Sequence, residues 1–425
     1  MSQLLDNILS RSNMLEAYNQ VRANKGSAGI DGITIDEIDD YLRKHWRSTK
    51  ELIKQRKYKP QPVLRVEIPK PNGGVRQLGI PTVMDRMIQQ AIVQVISPIC
   101  EPYFSEKSYG FRPNRSCEHA VIQLLEYLND GYEWVVDIDL EKFFDTVPQD
   151  RLMSLVHNII QDGDTESLIR KYLHSGVVIN GQRYKTLVGT PQGGNLSPLL
   201  SNIMLNELDK ELENRGLRFV RYADDCVITV GSEAAAKRVM HSISRYIEKR
   251  LGLKVNMTKT KIVRPSKLKY LGFGFWKSSE GWKSRPHQDS VQSFKRRLKK
   301  LTARKWSIDL DNRIERLNWV IRGWINYFSM TNMKSVMENI DERLRTRIRV
   351  IIWKQWKKKS RRLWGLLKLG VPKWIADKVS GWGDHYQLVA QRSVLKRAIS
   401  KPVLGKRGLV SCLDYYLKRH ALKVS

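Results

Sequence analysis

The sequence predicts an α+β chain, with strand-forming segments in its first two thirds and a helical last third. Three observations carry this expectation. Val63–Ile68 and Val75–Leu78 are short strand-like runs joined through Pro69-Lys70-Pro71-Asn72-Gly73-Gly74, and an Asn-Gly step between two such runs signals a hairpin. Trp134–Leu140 and Leu217–Val230 are apolar runs rich in β-branched and aromatic residues. From Val291 onward apolar residues recur at helical spacing: Val291, Phe294, Leu298 and Leu301, then Ile314, Leu317, Ile321, Trp324 and Phe328, then Leu344, Ile348 and Ile351.

The remaining elements follow in chain order. The opening segment to about Tyr58 reads as helical, broken by the loop Asn24-Lys25-Gly26-Ser27-Ala28-Gly29. Val83–Ile96 is amphipathic, with Ser97-Pro98 as its expected stop. The polar loop Ser108–Arg115 precedes a second helix, Cys117–Asn129. Gly189-Thr190-Pro191-Gln192-Gly193-Gly194-Asn195-Leu196-Ser197-Pro198 opens another helix, with Ser197 expected as N-cap and Pro198 at the first helical position. Leu268–Phe275 is expected as one strand. The stretch from about Leu366 is basic and punctuated by glycine.

Charge narrows the class of partner. The chain has 425 residues, a net charge of +32 and a pI near 10.0. Residues 286–425 carry 33 Lys+Arg against 10 Asp+Glu, and eight of the twelve tryptophans. That balance points to a polyanion, and nucleic acid fits better than a membrane, because no apolar run approaches the ~18 residues of a spanning helix. Basic residues interleaved with tryptophan suit phosphate neutralisation and base stacking, although most of these tryptophans are expected as core residues of helices. Four scattered cysteines, Cys100, Cys117, Cys226 and Cys412, form no C-x-x-C pair, which argues against a disulfide framework and a zinc ribbon. The N-terminus lacks signal-peptide features, so a reducing cytoplasmic location is expected.

The most informative residues are acidic. Tyr222-Ala223-Asp224-Asp225 places two adjacent carboxylates inside an apolar strand-like run. In a straight strand they would face opposite ways; a hairpin turn there brings both to one tip, where divalent cations can neutralise them. Asp137 and Asp139, two apart in Trp134–Leu140, share a face and supply a third carboxylate. Any one Asp-x-Asp has an ordinary explanation as a strand-end cap or arginine partner. Combined with a strand-embedded Asp-Asp in so basic a chain, it suits two-metal phosphoryl transfer, in which the ions sit roughly 3.5–4 Å apart. Lys70 and Arg76 flank the first hairpin's tip, placed to grip a triphosphate.

In this order the motifs closely resemble those of bacterial group II intron-encoded reverse transcriptase/maturases. Asp139 ahead of Phe143-Phe144-Asp145, the Thr190-Pro191-Gln192-Gly193 loop, Tyr222–Asp225 and Tyr270-Leu271-Gly272-Phe273 look like the ordered blocks of a reverse transcriptase. Gly323-Trp324-Ile325-Asn326-Tyr327-Phe328 is similar to the maturase signature, and Asn24–Gly32 resembles the family's N-terminal extension block. The resemblance implies a right-hand polymerase of fingers, palm and thumb, with an antiparallel palm sheet. Its expected division is 1–60 for the N-terminal extension and start of the fingers and 61–285 for fingers and palm. A helical thumb/maturase domain over 286–365 and a basic nucleic-acid-binding module over 366–425 complete it.

The same resemblance implies an RNA-directed DNA polymerase that also assists splicing and mobility of its intron. Asp139, Asp224 and Asp225 would be the catalytic acids and hold two Mg²⁺; Asp139 is preferred over Asp137 for standing five residues before Phe144. Phe144 would be the steric gate against a ribose 2′-OH, Lys70 and Arg76 would hold the dNTP, and Gln192 and Lys259 would complete the nucleotide site. Implied partners are group II intron RNA, an RNA template with DNA primer, dNTPs and target DNA, with a homodimer left open. Some members carry a His/Cys-rich endonuclease; with only Cys412 and His420 near Ser425, second-strand cleavage is not expected. Two alternatives remain: a reverse transcriptase recruited to host DNA repair or phage defence, whose palm would look the same, and a splicing cofactor alone with a decayed polymerase site, against which the intact Asp139, Asp224, Asp225 and Phe144 argue.

Overall fold

The computed structural model of this chain describes residues 2–69, 73–190 and 193–424, which fall into two compact units, Met1–Arg264 and Pro265–Ser425. The first unit opens with helices α1 (Gln3–Ile8), α2 (Arg11–Ala23) and α3 (Ile38–Lys54). Hairpin strands β1 (Val63–Pro69) and β2 (Val75–Ile80) follow, then α4 (Val83–Cys100), α5 (Cys117–Asn129) and β3 (Trp134–Ile138). A short α6 (Phe143–Thr146) leads to α7 (Gln149–Ile160), α8 (Gly163–Leu173), β4 (Val177–Ile179) and β5 (Gln182–Tyr184). The unit ends with α9 (Ser197–Asn214), hairpin β6 (Arg218–Tyr222) and β7 (Asp225–Val230), α10 (Glu233–Tyr246) and β8 (Lys261–Val263).

Two four-stranded sheets organise this unit. One has the order β2-β1-β4-β5 and is mixed, since β4 runs parallel to β1 with Val63 opposite Val177. The other, β6-β7-β3-β8, is antiparallel throughout. Its central strand β3 is buried between two neighbours, which explains the nearly continuous apolar run Val135, Val136 and Ile138. Helix α9 packs into the same core through Leu199, Leu200, Ile203, Met204, Leu205, Leu208 and Leu212, all buried. Each such side chain contributes about 1.5–3 kcal/mol relative to exposure.

The second unit begins with strands β9 (Lys269–Tyr270), β10 (Phe273–Ser278) and β11 (Gly281–Pro286), in the order β11-β10-β9. Three long helices come next: α11 (Gln288–Leu301), α12 (Leu310–Phe328) and α13 (Lys334–Gln355). Shorter ones complete it: α14 (Lys359–Lys368), α15 (Lys373–Ser380), α16 (Tyr386–Gln391), α17 (Ser393–Ala398), α18 (Lys401–Lys406) and α19 (Cys412–Val424). Trp324 stacks on Phe294 at 4.5 Å and packs on Phe328, so these aromatics build core. Buried Asp341 accepts from Ser411 Oγ (2.6 Å) and from the amides of Cys412 (2.7 Å) and Leu413 (3.3 Å), tying the start of α19 to α13. Trp353 is fully buried, whereas Trp319, Trp364 and Trp374 stand exposed.

Three local expectations are corrected. Helix α4 continues through Pro98 to Cys100, because a proline in the last turn forfeits a single hydrogen bond and a 3₁₀ turn (Glu101–Tyr103) takes over directly. Ser197 is the first residue of α9 rather than its cap: Leu196 occupies the cap, and its amide is satisfied by Gln89 Oε1 at 3.3 Å. Leu268–Phe275 is a hairpin, not one strand, because Leu271 and Gly272 both take positive φ (49° and 80°) and fold Phe273 back onto Tyr270. Among the described residues no helix is long and apolar enough to cross a membrane, and the four cysteines are free thiols.

Candidate functional site

The two acidic elements meet on the antiparallel sheet. In the β6–β7 hairpin Tyr222 pairs with Asp225, so Ala223-Asp224 is a two-residue turn with Ala223 left-handed at φ 56°. Strand β3 lies beside β7, with Asp137 opposite Val227 and Ile138 opposite Cys226. By alternation Asp225 and Val227 face the same side as Asp137 and Asp139, so the register brings the acids of two chain segments to one end of the sheet. Asp139 lies just beyond β3, where its amide donates to Thr260 Oγ1 (3.2 Å) and its carbonyl accepts from Asn256 N (2.8 Å). These bonds hold its backbone after the ladder ends.

The electrostatics follow from this crowding. Asp225 keeps accessible surface, yet desolvation, then Asp224, Asp137 and Asp139, push its carboxyl up to about 6, with Arg76 opposing. Asp224 is raised by burial and by Asp139, opposed by Arg76 and Arg221. Asp137 is raised by burial, with Lys261 opposing at 3.6 Å. Lys259 lies 3.8 Å from Asp139.

Asp139 and Asp224 line a cleft of about 1050 Å³ together with Arg76, Phe144 and Lys259. That is ample room for a nucleotide and part of a polymer strand. Lys70 and Gln192 lie outside the described residues. Asp225 stands at the first position of β7, beside the lining residues. Phe144 is half-buried, edge-on to buried Phe143 at 5.3 Å. The loop before α9 cradles it: Thr190 N donates to the Phe144 carbonyl (2.6 Å) and Gly189 N to that of Val147 (2.8 Å). Gly189 has φ 85°, and a Cβ there would stand 2.7 Å from the Phe144 carbonyl oxygen.

Several cleft residues had no signal in the sequence. Arg65 of β1 bonds Asp145 at 3.3 Å, joining the two walls across 80 residues of chain. Asn256, Lys185, Leu187 and Val188 also line the cleft, the last two exposed and apolar. No local pattern marks such residues, because strand and loop partners far along the chain bring them together.

The donor chemistry suits a hard divalent cation. The converging groups are carboxylates, with no histidine or cysteine among them. Among the described residues no three His, Cys, Asp or Glu side chains close around one point as a ready-made cage. A hard cation such as Mg²⁺ takes one or two carboxylates and leaves other positions to water and substrate phosphates.

The converging carboxylates beside a cationic cleft wall are compatible with nucleotidyl transfer, and comparison with known proteins supplies the family. Residues 68–275 match the reverse transcriptase (RNA-dependent DNA polymerase) family and residues 291–370 the group II intron maturase-specific domain. Protein YkfC of Escherichia coli is 34% identical over 289 residues, covering 59% of this chain and 76% of that protein. The group II intron-encoded protein LtrA of Lactococcus lactis is 37% identical over 232 residues, covering 54% of this chain and 38% of LtrA. The COX1/OXI3 intron 2 protein of Saccharomyces cerevisiae is 32% identical over 336 residues, covering 65% of this chain and 39% of that protein. The chain therefore spans about two fifths of the length of the last two relatives. It belongs to the family of group II intron reverse transcriptase/maturases.

Proposed function

We propose that this chain is an RNA-directed DNA polymerase that also binds its group II intron RNA and assists splicing and mobility, acting in the bacterial cytoplasm. The observation that carries the polymerase reading is the meeting of Asp139 and Asp224 in one cleft with Arg76, Phe144 and Lys259, with Asp225 beside them. In this reading residues 1–60 extend the fingers, 61–285 form fingers and palm, 286–365 thumb and maturase domain, and 366–425 a basic nucleic-acid-binding module.

Asp139, Asp224 and Asp225 would hold two Mg²⁺, which when bound neutralise charge on the attacking and leaving oxygens of an in-line displacement. Arg76 and Lys259 place cations on the cleft wall, where they would draw in and orient the dNTP triphosphate; Lys70 and Gln192 belong to the same assignment. The Phe144 ring, edge-on to Phe143 and carried on a backbone that Thr190 N holds through the Phe144 carbonyl, would leave no room beside the sugar for a 2′-OH. Alignment and electrostatic stabilisation by these groups supply most of the acceleration in phosphoryl transfer. For splicing, the broad basic surface would bind phosphates and 2′-OH groups of folded RNA and add no catalytic group.

The test is primer extension on an RNA template with dNTPs and Mg²⁺, wild type against Asp224→Ala, beside splicing of a group II intron RNA. Extension by the wild type and its loss in the variant, with splicing retained, supports both halves. A folded, RNA-binding wild type that extends no primer overturns the polymerase half.

A further inference from the structure

Helix α9 carries a polar stripe that the proposed chemistry does not use. Asn202, Asn206 and Asp209 are buried, and with Glu213 they recur at spacings of three and four, one face of a helix. Buried polar groups cost stability unless paired, and these are paired with one region. Asn206 Nδ2 donates to the Tyr103 carbonyl (2.8 Å), Asn206 Oδ1 accepts from Ser105 N (3.2 Å), and Glu213 accepts from Ser105 Oγ (2.5 Å). Asn202 Nδ2 donates to the Gly110 carbonyl at 2.9 Å.

The stripe centres on Arg221, the residue before Tyr222-Ala223-Asp224-Asp225. Arg221 and Asp209 are both fully buried and form a bidentate pair, Nε to Oδ1 at 2.7 Å and Nη2 to Oδ2 at 2.5 Å. Its remaining nitrogen, Nη1, donates to Asn202 Oδ1 (3.1 Å) and to the carbonyl of Ala223 within the turn (2.9 Å). The loop clamps the other side: Tyr109 N donates to the Arg221 carbonyl (2.8 Å), and Arg221 N to the Lys107 carbonyl (3.0 Å). Gly110 lies so close that an added Cβ would stand 2.3 Å from Ala223 N. The acidic turn is thus held by side chains from behind and wedged by backbone from beside.

We propose that Arg221, Asp209, Asn202 and Gly110 are positioning residues that set where the Asp224 and Asp225 carboxylates stand relative to Asp139. The inference rests on reading this site as the nucleotidyl-transfer centre. A left-handed alanine has no intrinsic preference for this geometry, so the turn needs an external reference. The fork of a guanidinium supplies one, because its donors address Asp209, Asn202 and the Ala223 carbonyl at the same time. A structural role alone would require only that the buried charges cancel.

Removing one partner would strand a buried charge and unfold the unit, so the informative variant replaces both: Arg221→Met with Asp209→Leu. Apolar replacement of a buried pair is often neutral for stability, whereas a misplacement of about 1 Å at a reacting centre costs about 100-fold in rate. The expected result is preserved melting temperature and RNA binding, a turnover loss of about 100-fold with a far smaller change in dNTP KM, and loss of the Mg²⁺-dependent rise in melting temperature. A folded double variant with wild-type turnover and Mg²⁺ requirement overturns the proposal. Should the double variant not fold, Arg221→Lys decides: it keeps the charge pair but its ammonium cannot reach all three acceptors, so wild-type behaviour overturns the idea and a turnover loss supports it. Gly110→Ala, which pushes the turn from the other side, is expected to lose turnover likewise. If wild type itself extends no primer, the polymerase reading fails, and the Mg²⁺-linked melting shift, which needs no turnover, still tests the clamp.

Discussion

Gly189→Ala is expected to damage the gate without touching an acid. Gly189 has φ 85°, which costs an alanine about 1–2 kcal/mol. The new methyl would also stand 2.7 Å from the Phe144 carbonyl oxygen and 2.9 Å from the Asp145 carbonyl carbon. Retreat is blocked by three hydrogen bonds: Gly189 N to Val147 O (2.8 Å), Thr190 N to Phe144 O (2.6 Å) and Gln149 Nε2 to Gly189 O (2.8 Å). Overpacking of that kind adds about 1–3 kcal/mol, for a total of about 2–5 kcal/mol. At about 2–4 °C per kcal/mol for a unit of this size, melting falls by at least about 4 °C. To the extent that the loop yields instead, the Phe144 backbone moves, and preference for dNTP over rNTP in primer extension drops. Gly131→Ala is the control, with φ 94° and open space around the added methyl, so that only the conformational cost applies. Equal losses in the two variants, with selectivity intact, would refute the contact argument.

Three further outcomes follow from the same geometry. Because burial and three carboxylates raise Asp225 to about 6, the folded state binds a proton more readily than the unfolded chain, so in EDTA stability should fall as pH rises from about 4 to about 6. Correspondingly, Asp225→Asn should melt higher than wild type at pH 7.5 in EDTA while losing extension; a lower melting point would contradict the repulsion. Phe144→Ala should raise rNTP incorporation by about 10–100-fold relative to dNTP, read by single-nucleotide extension, and unchanged selectivity would remove Phe144 from the gate. Arg65→Ala removes a partly exposed 3.3 Å pair with Asp145, so melting should shift by less than about 1 kcal/mol equivalent while dNTP KM rises severalfold; a large stability loss would show a structural role instead.

The local elements were legible because their causes are local. Apolar runs rich in β-branched and aromatic residues marked β3 and the β6–β7 hairpin, helical periodicity marked α11, α12 and α13, and the acidic pair between strands marked a turn. Where a tertiary partner replaced a local signal, reading by pattern missed. Gln89 took the place of a serine cap at α9, and a positive-φ pair at Leu271-Gly272 bent an alternating run back on itself. The aromatic motif around Trp324 was readable as a signature, but its stacking on Phe294 was not.

The site divides along the same line. Sequence by itself determined that Asp224 and Asp225 sit at a hairpin turn, since two adjacent carboxylates in an apolar run are accommodated at its tip; Asp139, expected within the strand Trp134–Leu140, lies just beyond its end at Ile138. Only the tertiary structure decided that these ends meet, because β3 is inserted between β7 and β8 and a shift of one residue would turn each acid to the other face. It also decided that Arg65 reaches Asp145, that Gly189 abuts Phe144, and that α9 turns Asn202 and Asp209 toward Arg221. Those contacts join residues far apart in the chain, and strand register and helix packing, which no short window of sequence contains, set them.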